Sequence, residues 1–440
     1  MRQNRRPLLV AVVISATVCW VVLATYINPG PALGSGPTAA PTAAPGPGPG
    51  PAPAAAGEAP SLPDPVAWRG FSKKEISQLS KLGRMLFLQD TANLTPRNKT
   101  FTVLMWKHGL YMENRHIFHF GKERHDPYED CSVRNCRIEY DDKFLSKADA
   151  VIFHLHQTKS INELPRRLPE HRNQRWIFLT DESPHHTFMF DRSTNKLKNY
   201  VGVFNWSMSY RMDSDVPVPY GRAIPLTKEE AAAALATIPV SKNYALGKNG
   251  TVAVMGSNCG GWNHRWDYVR ELQKHMRVDV YGGCGNNSRA CPGGFRKDCP
   301  KIKNYKFYLA FENSNCRDYV TEKVWWNAYR NGAVPVIMGD TQENIRHILP
   351  RKSYLHVDDF ASPADLARFL MHLDNSDRDY NTYFQWKYKY KIVNEHGYFQ
   401  SPVYHYCRVC EALNYNDEST KIYEHPEEFL NVERDCKYTK

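Results

Sequence analysis

Several things are missing from this 440-residue chain, and each absence removes a class of function. There is no block of like charges long enough to form a nucleic-acid arm, and no internal repeat. The formal charge of +11 comes from scattered Lys and Arg, as on an ordinary solvated surface, so an anionic ligand would need a built site. The glycines form no G-x-G-x-x-G fingerprint. Cys407-x-x-Cys410 has no second such pair at zinc-ribbon spacing, which favours structural disulfides over zinc or thiol redox chemistry. The neighbours His185 and His186 have no third ligand at a suitable spacing.

Acidic residues are absent until Glu58. Within that stretch, Arg2, Arg5 and Arg6 precede Leu8–Ile27, 20 apolar or small residues without a charge. That length spans a bilayer as one helix, and the positive flank keeps residues 1–7 cytoplasmic. An uncleaved anchor at 8–27 is expected rather than a signal peptide, whose apolar region is shorter and whose cleavage site needs small residues. Between Asn28 and Pro65, 12 of 38 residues are proline. Such a segment cannot bury a core and is expected to stay extended, so 28–98 is assigned as a stem.

Cysteine usage fits a luminal head. One of the 11 cysteines, Cys19, falls in the anchor. The other ten are disulfide candidates: Cys131, Cys136, Cys259, Cys284, Cys291, Cys299, Cys316, Cys407, Cys410 and Cys436. N-glycosylation sequons begin at Asn93, Asn98, Asn205, Asn249 and Asn286.

From about residue 100, short apolar runs alternate with helical stretches. Phe101–Trp106, Ala148–Leu155 and Arg175–Leu179 are expected strands, and Leu226–Ile238 an expected helix. A second unit follows, with strands near 251, 277, 306 and 333. This alternation predicts an α/β fold with two parallel sheets and a cleft between them, an N-terminal domain at 99–240, a second at 241–410 and a tail at 411–440.

In such sheets ligands sit at the carboxyl ends of strands, where helix N-termini offer unpaired N–H groups. "FYLAFENSNCRDYVTEKVWWNAYRNGAVPVIMGD" supplies one such junction. Its helix is expected to start near Tyr319, capped by Asp318, and to stop at Asn331-Gly332. That places Glu322 and Lys323 in the first turn, suited to ribose hydroxyls and a phosphate, with Asn313 and Tyr319 alongside; ordinary solvated helix residues are the alternative. "GSNCGGWNHR" supplies a second junction, where Arg265 can fork onto a diphosphate. In the other half, "TDESPHH" follows a strand and offers Glu182 as a general base, with His185 and His186 as rivals. His185, Tyr210, Arg211 and Asp215 are further candidates for the acceptor side of the cleft. Asp213 and Asp215 form a DxD that alone does not complete a metal site.

These blocks, with "ESP" at 182–184 and "NWSMSYRMDSDVPVPYG" at 205–221, resemble the α1,3/4-fucosyltransferases, glycosyltransferase family 10. The resemblance covers about residues 100–410. It implies a GT-B-like fold of two Rossmann-like domains and inverting α1,3 transfer of L-fucose from GDP-fucose to a GlcNAc hydroxyl of glycoprotein glycans. Core and lactosamine-type acceptors both stay open. It implies Glu182 as base, and Arg265, Asn313, Tyr319, Glu322 and Lys323 as donor-binding residues. It further implies no obligatory metal at the DxD and no obligatory cofactor, with Mn²⁺ as a stimulant. The expected partners are GDP-fucose, a glycoprotein or oligosaccharide acceptor and, as an assembly, a homodimer; the expected setting is the Golgi membrane, single-pass type II. Transfer from another nucleotide sugar, or an inactive glycan-binding relative, are the alternatives.

Overall fold

Strands buried on both faces read as unbroken apolar runs, and three stretches here, AVIFH, YKFYLAF and VPVIM, are buried at every position. The computed structural model describes residues 67–437 except 93, 169–170, 191, 286–289, 292–293 and 420. The expected span at 8–27, residues 28–66 of the expected stem, Asn93 and Asn286 lie outside the described residues; the stem's assigned end at 98 is too late, because the helix Lys81–Leu88 buries Leu82, Leu86 and Phe87 in the main apolar cluster. Among the described residues, no helix is long and apolar enough to cross a membrane.

β1 (Phe101–Met105), β2 (Cys136–Glu139), β3 (Ala150–His154), β4 (Arg175–Thr180), β5 (Trp206–Ser209) and β6 (Val216–Pro217) form the first sheet, in the order 2-1-3-4-5-6. Every pairing in it is parallel. β7 (Gly221–Pro225) then leads into the helix Lys228–Thr237, which Thr227 and Glu230 start as a capping box.

β8 (Gly250–Met255), β9 (Val278–Tyr281), β10 (Tyr305–Phe311), the two-residue β11 (Asn315–Cys316), β12 (Val334–Met338) and β13 (Leu355–His356) follow. All but β11 form the second sheet, parallel throughout, in the order 13-12-10-8-9. Counted from its own first strand, this is the doubly wound order 2-1-3-4-5. Its switch point lies between β8 and β10, the place where such sheets bind ligands.

The expected boundaries at 240 and 410 do not describe how the chain ends. β14 (Tyr390–Asn394) returns to pair antiparallel with β7. The helix His405–Tyr415, buried at every position, packs on the helix Lys81–Leu88 and on β6 beside the first sheet. Cys131–Cys407 and Cys136–Cys410 hold it there, so Cys407 and Cys410 pair with distant partners and not with each other. The expected tail then crosses to the loop after β10, where β15 (Cys436–Lys437) pairs with β11 in a separate two-stranded sheet and is tied by Cys316–Cys436. Cys259–Cys284 and Cys291–Cys299 complete the ten. The reason is burial: an apolar helix face and the flank of a sheet each need a cover, and here each covers the other. One apolar cluster accordingly runs from Val103 and Ile177 of the first sheet to Tyr308 of the second and Trp325 of the helix that follows β11.

Candidate functional site

The loops after β4, β8 and β10 meet. The loop after β10 opens with Glu312, whose N–H donates to Met338 O at 2.8 Å, extending the β10–β12 ladder by one residue. Its carboxylate is 2% exposed. Oε1 accepts from Thr321 N at 2.9 Å and Oγ1 at 2.8 Å, while Oε2 accepts from Lys323 Nζ at 2.9 Å. Lys323 Nζ also reaches Thr321 Oγ1 at 2.8 Å and Glu322 at 3.2 Å. Burial alone would lower the Lys323 pKa, but Glu312 and Glu322 outweigh it and raise it, so the ammonium is charged.

The helix does not start at Tyr319. It runs Lys323–Arg330 with the wide π winding that recurs at functional sites. Two constraints hold 318–322 as loop. Glu312 captures Thr321, and Asp318 sits at φ 60° with its N–H donated to Asp340 Oδ2 at 2.6 Å. Asp318 is therefore no cap; its carboxylate accepts from Met212 N at 3.1 Å. Asn331-Gly332 ends the helix as expected, with Gly332 at φ 68°.

The loop after β8 is drawn together by Arg265. Its guanidinium donates to the carbonyls of Gly260 (3.0 Å), Phe311 (3.0 Å) and Asn258 (2.6 Å). The side chain is buried and shapes the loop, where the sequence suggested an open fork for a ligand. Gly256 is required for packing, since a Cβ there would lie 2.5 Å from the Trp266 ring.

The loop after β4 carries adjacent carboxylates in different settings. Asp181 is buried; His396 Nε2 lies 3.2 Å away, and His154 Nε2 and Arg115 Nη2 each 3.5 Å away. Burial pushes the acid up, but the His154 and His396 hydrogen bonds and the Arg115 charge win and hold it well below the usual range. Glu182 is half-buried, and its Oε2 accepts from the Tyr319 hydroxyl at 3.0 Å. Burial, then the charge of Asp181, raise its pKa; His156, Tyr319 and Lys323 oppose this. Ser183 Oγ meets Ser314 Oγ at 2.6 Å, and His185 stacks on Trp262 with centroids 4.6 Å apart. Glu182, Tyr319, Lys323, Asn313 and His185 thus share one seam between the sheets.

Other expected site residues lie elsewhere. Arg211 is buried, paired with Asp213 at 2.6 Å and Asp435 at 2.9 Å, so it staples the returning tail. Asp215 accepts from Ser207 N, Tyr423 OH and Lys421. Both carboxylates of the DxD are engaged by protein partners, and the partners of Arg211 and Asp215 lie on the returning tail and the first sheet. Tyr210 is buried with its ring 5.0 Å from Tyr319 and acts as a support. His186 is buried, and burial lowers its pKa to about 4, which makes it a weak rival as base. Asn205 is buried, accepting from Trp176 N at 2.9 Å and Arg167 at 2.8 Å and donating to Lys421 O at 2.9 Å, so the folded chain offers no glycan site there. Asn98 and Asn249 are exposed.

Sequence reasoning did not assign Glu312 a role, although an acid closing the buried run YLAF carries the same positional signal as Glu182. It also missed Arg115, His154 and His396, for which no local signal exists; they converge only through the fold.

The family profile described as "Glycosyltransferase family 10 (fucosyltransferase) C-term" matches residues 245–429, and "Fucosyltransferase, N-terminal" matches 98–221. The chain is 35% identical over 297 residues to glycoprotein 3-alpha-L-fucosyltransferase A of Drosophila melanogaster, across 66% of this chain and 53% of that protein. It is 41% identical over 256 residues to a 4-galactosyl-N-acetylglucosaminide 3-alpha-L-fucosyltransferase of Homo sapiens, across 58% and 65%. The chain therefore spans between half and two thirds of these relatives' lengths. A crystal structure of an alpha1,3-fucosyltransferase with GDP-fucose aligns over 77% of this chain and 98% of that one, at 16% identity and a TM-score of 0.43.

Proposed function

The chain belongs to glycosyltransferase family 10, the fucosyltransferase family, and from that premise we propose that it transfers L-fucose from GDP-fucose to a GlcNAc hydroxyl of glycoprotein glycans, in α1,3 linkage with inversion. The observation that carries the reading is the 3.0 Å contact between Glu182 and Tyr319, which sets a carboxylate of raised pKa against the loop that leads to Lys323.

In this reading Glu182 accepts the proton of the acceptor hydroxyl. The oxygen forms a bond to the fucose anomeric carbon as the bond from that carbon to the phosphate oxygen breaks, and GDP leaves with the electron pair. Lys323 stabilises that charge by trading Glu322 for a phosphate oxygen, while Glu312 keeps the ammonium in place. Glu322, once released, is free to accept from ribose hydroxyls, and Asn313 borders the same pocket. The buried Arg265 contributes its charge through the loop it organises.

The two parallel sheets are read as a GT-B-like pair. The same reading puts the head in the Golgi lumen behind a single span at 8–27, with Mn²⁺ a stimulant rather than a requirement and a homodimer as the assembly. The test is incubation of the full chain in detergent with GDP-fucose and a panel of core and lactosamine-type acceptors, with linkage mapping by mass spectrometry. Fucose on a GlcNAc 3-hydroxyl supports the reading. GDP binding without transfer, or turnover only of another nucleotide sugar, overturns it.

A further inference from the structure

Trp262 is 49% exposed, whereas Tyr210, Tyr220 and Tyr319 near the same seam are buried. An exposed indole contributes little to folding, because its apolar surface stays in water. Yet the loop that presents it is held at many points. Trp262 N–H donates to Asn313 O at 2.8 Å. The Asn263 amide donates to Glu312 O at 3.0 Å and to Asn315 Oδ1 at 2.7 Å. Arg265 gathers the carbonyls of Asn258 and Gly260, and Cys259–Cys284 closes the loop. A side chain fixed in the free protein has little ordering entropy left to lose when a ligand binds.

One face of the indole lies on His185, 4.6 Å between centroids and 13° from parallel. Burial lowers the pKa of His185, so its ring is neutral and stacks without charge. His185 is three residues beyond Glu182, on the same loop. The platform thus spans the seam, with Trp262 on the loop after β8 and His185 on the loop that carries the base, so the stack reaches the side where the acceptor is deprotonated. A pyranose presents polarised C–H groups on one face, and the negative face of an indole attracts them. A cavity of about 470 Å³, lined in part by His185, Phe188, Arg192 and Glu433 but not by Trp262, lies on the His185 side of the stack and leaves room for more of a glycan.

We propose that Trp262, backed by His185, is a stacking platform for a pyranose ring of the acceptor glycan, the sugar attached to the one that receives fucose, and so sets a preference for extended acceptors. This rests on the fucosyl-transfer reading above. The test compares the full chain in detergent with Trp262→Ala, Trp262→Phe and His185→Ala, using a GlcNAc monosaccharide glycoside, a GlcNAc-containing trisaccharide and GDP-fucose. In Trp262→Ala, KM for the trisaccharide should rise about three- to tenfold, the size of one lost aromatic contact. KM for the monosaccharide and for GDP-fucose should stay within about twofold. Trp262→Phe should retain most of the preference, and His185→Ala should lose part of it. Equal losses with both acceptors, no loss, or a rise in the GDP-fucose KM would each overturn the platform; the last outcome would assign the indole to guanine. Saturation-transfer NMR of the free trisaccharide reads the contact without turnover: Trp262→Ala should reduce transfer to the second sugar relative to the first, and an unchanged ratio overturns the proposal. Absence of fucosylated product in the unmodified protein would instead count against the transfer reading, whatever the NMR shows.

Discussion

The Tyr319 hydroxyl donates to Glu182 Oε2 across 3.0 Å, and in doing so joins the loop after β4 in the first sheet to the loop after β10 in the second. Tyr319 is buried and its ring is backed by Tyr210. The proposed base is therefore oriented by a residue that sits four positions before Lys323. Acid and cation thus stand at one junction, on loops joined by this hydrogen bond.

Glu182→Gln removes the proton acceptor but keeps the shape and the Tyr319 contact. Turnover should fall at least about a hundredfold, the usual size of a lost general base. GDP affinity, measured by calorimetry, should stay within about threefold, because the nucleotide grip lies with Lys323. Surviving turnover would remove Glu182 from the mechanism.

The pH profile should carry the signature of neighbouring charge. Glu182 works only when ionised, and burial with Asp181 raises its pKa. Activity should therefore rise with pH through that raised value and be lost as pH falls through it, at a higher pH than for an ordinary carboxylate. Asp181→Asn removes a raising cause, so the acid limb of kcat/KM should move to lower pH. Tyr319→Phe removes a lowering hydrogen bond and should move the limb to higher pH. Shifts in the same direction would show that general loosening, not local charge, is being read.

Lys323→Ala leaves the Glu312 carboxylate buried without its cation. Stability should drop by about 3 kcal/mol in chemical denaturation, as when one partner of a buried pair is removed. The KM for GDP-fucose should rise as well. Glu312→Gln keeps an acceptor for Thr321 and should cost less stability. Equal stability of Lys323→Ala and the unmodified protein would mean that the pair is screened by solvent.

The Cys131–Cys407 and Cys136–Cys410 links close loops of 276 and 274 residues. Replacing both cysteines of either pair by serine should cost about 2–4 kcal/mol. Amide exchange should quicken first in the helix His405–Tyr415, since that is the element the links hold. An unchanged denaturation midpoint would show that packing alone retains the helix.

Glycan occupancy separates the sequons by burial. In the full chain expressed in a eukaryotic host and purified in detergent, Asn249→Gln and Asn98→Gln should each lower the intact mass by one glycan. Asn205→Gln should leave the mass of attached glycan unchanged but destabilise the fold, because the Asn205 amide holds Trp176, Arg167 and Lys421. A glycopeptide at Asn205 would contradict the buried placement.

Much of the site was legible in one dimension. The apolar runs before Asp181, Gly256 and Glu312 mark β4, β8 and β10, and residues just past such runs fall at the carboxyl edge of a parallel sheet whatever the details. Glu182 and Lys323 could be placed on facing edges by that rule. It could not say that Arg265 faces inward to carbonyls, or that Asp213 and Asp215 are consumed by Arg211 and Tyr423, because spacing records which residues are near a strand end and not what else reaches them.

Local pattern and composition determined the α/β class, the positions of β1, β3, β4, β8, β9, β10 and β12, an even set of cysteines fit for disulfides and the residues offered at the strand ends, since each depends on neighbours within a few positions. Only the tertiary structure decided which cysteines met, that His405–Tyr415 covers the first sheet, that the helix after β10 winds wide from Lys323, and that Arg115, His154 and His396 gather around Asp181. Those outcomes depend on burial between segments far apart in the chain, where a buried charge or an apolar face takes whatever partner the packing brings to it.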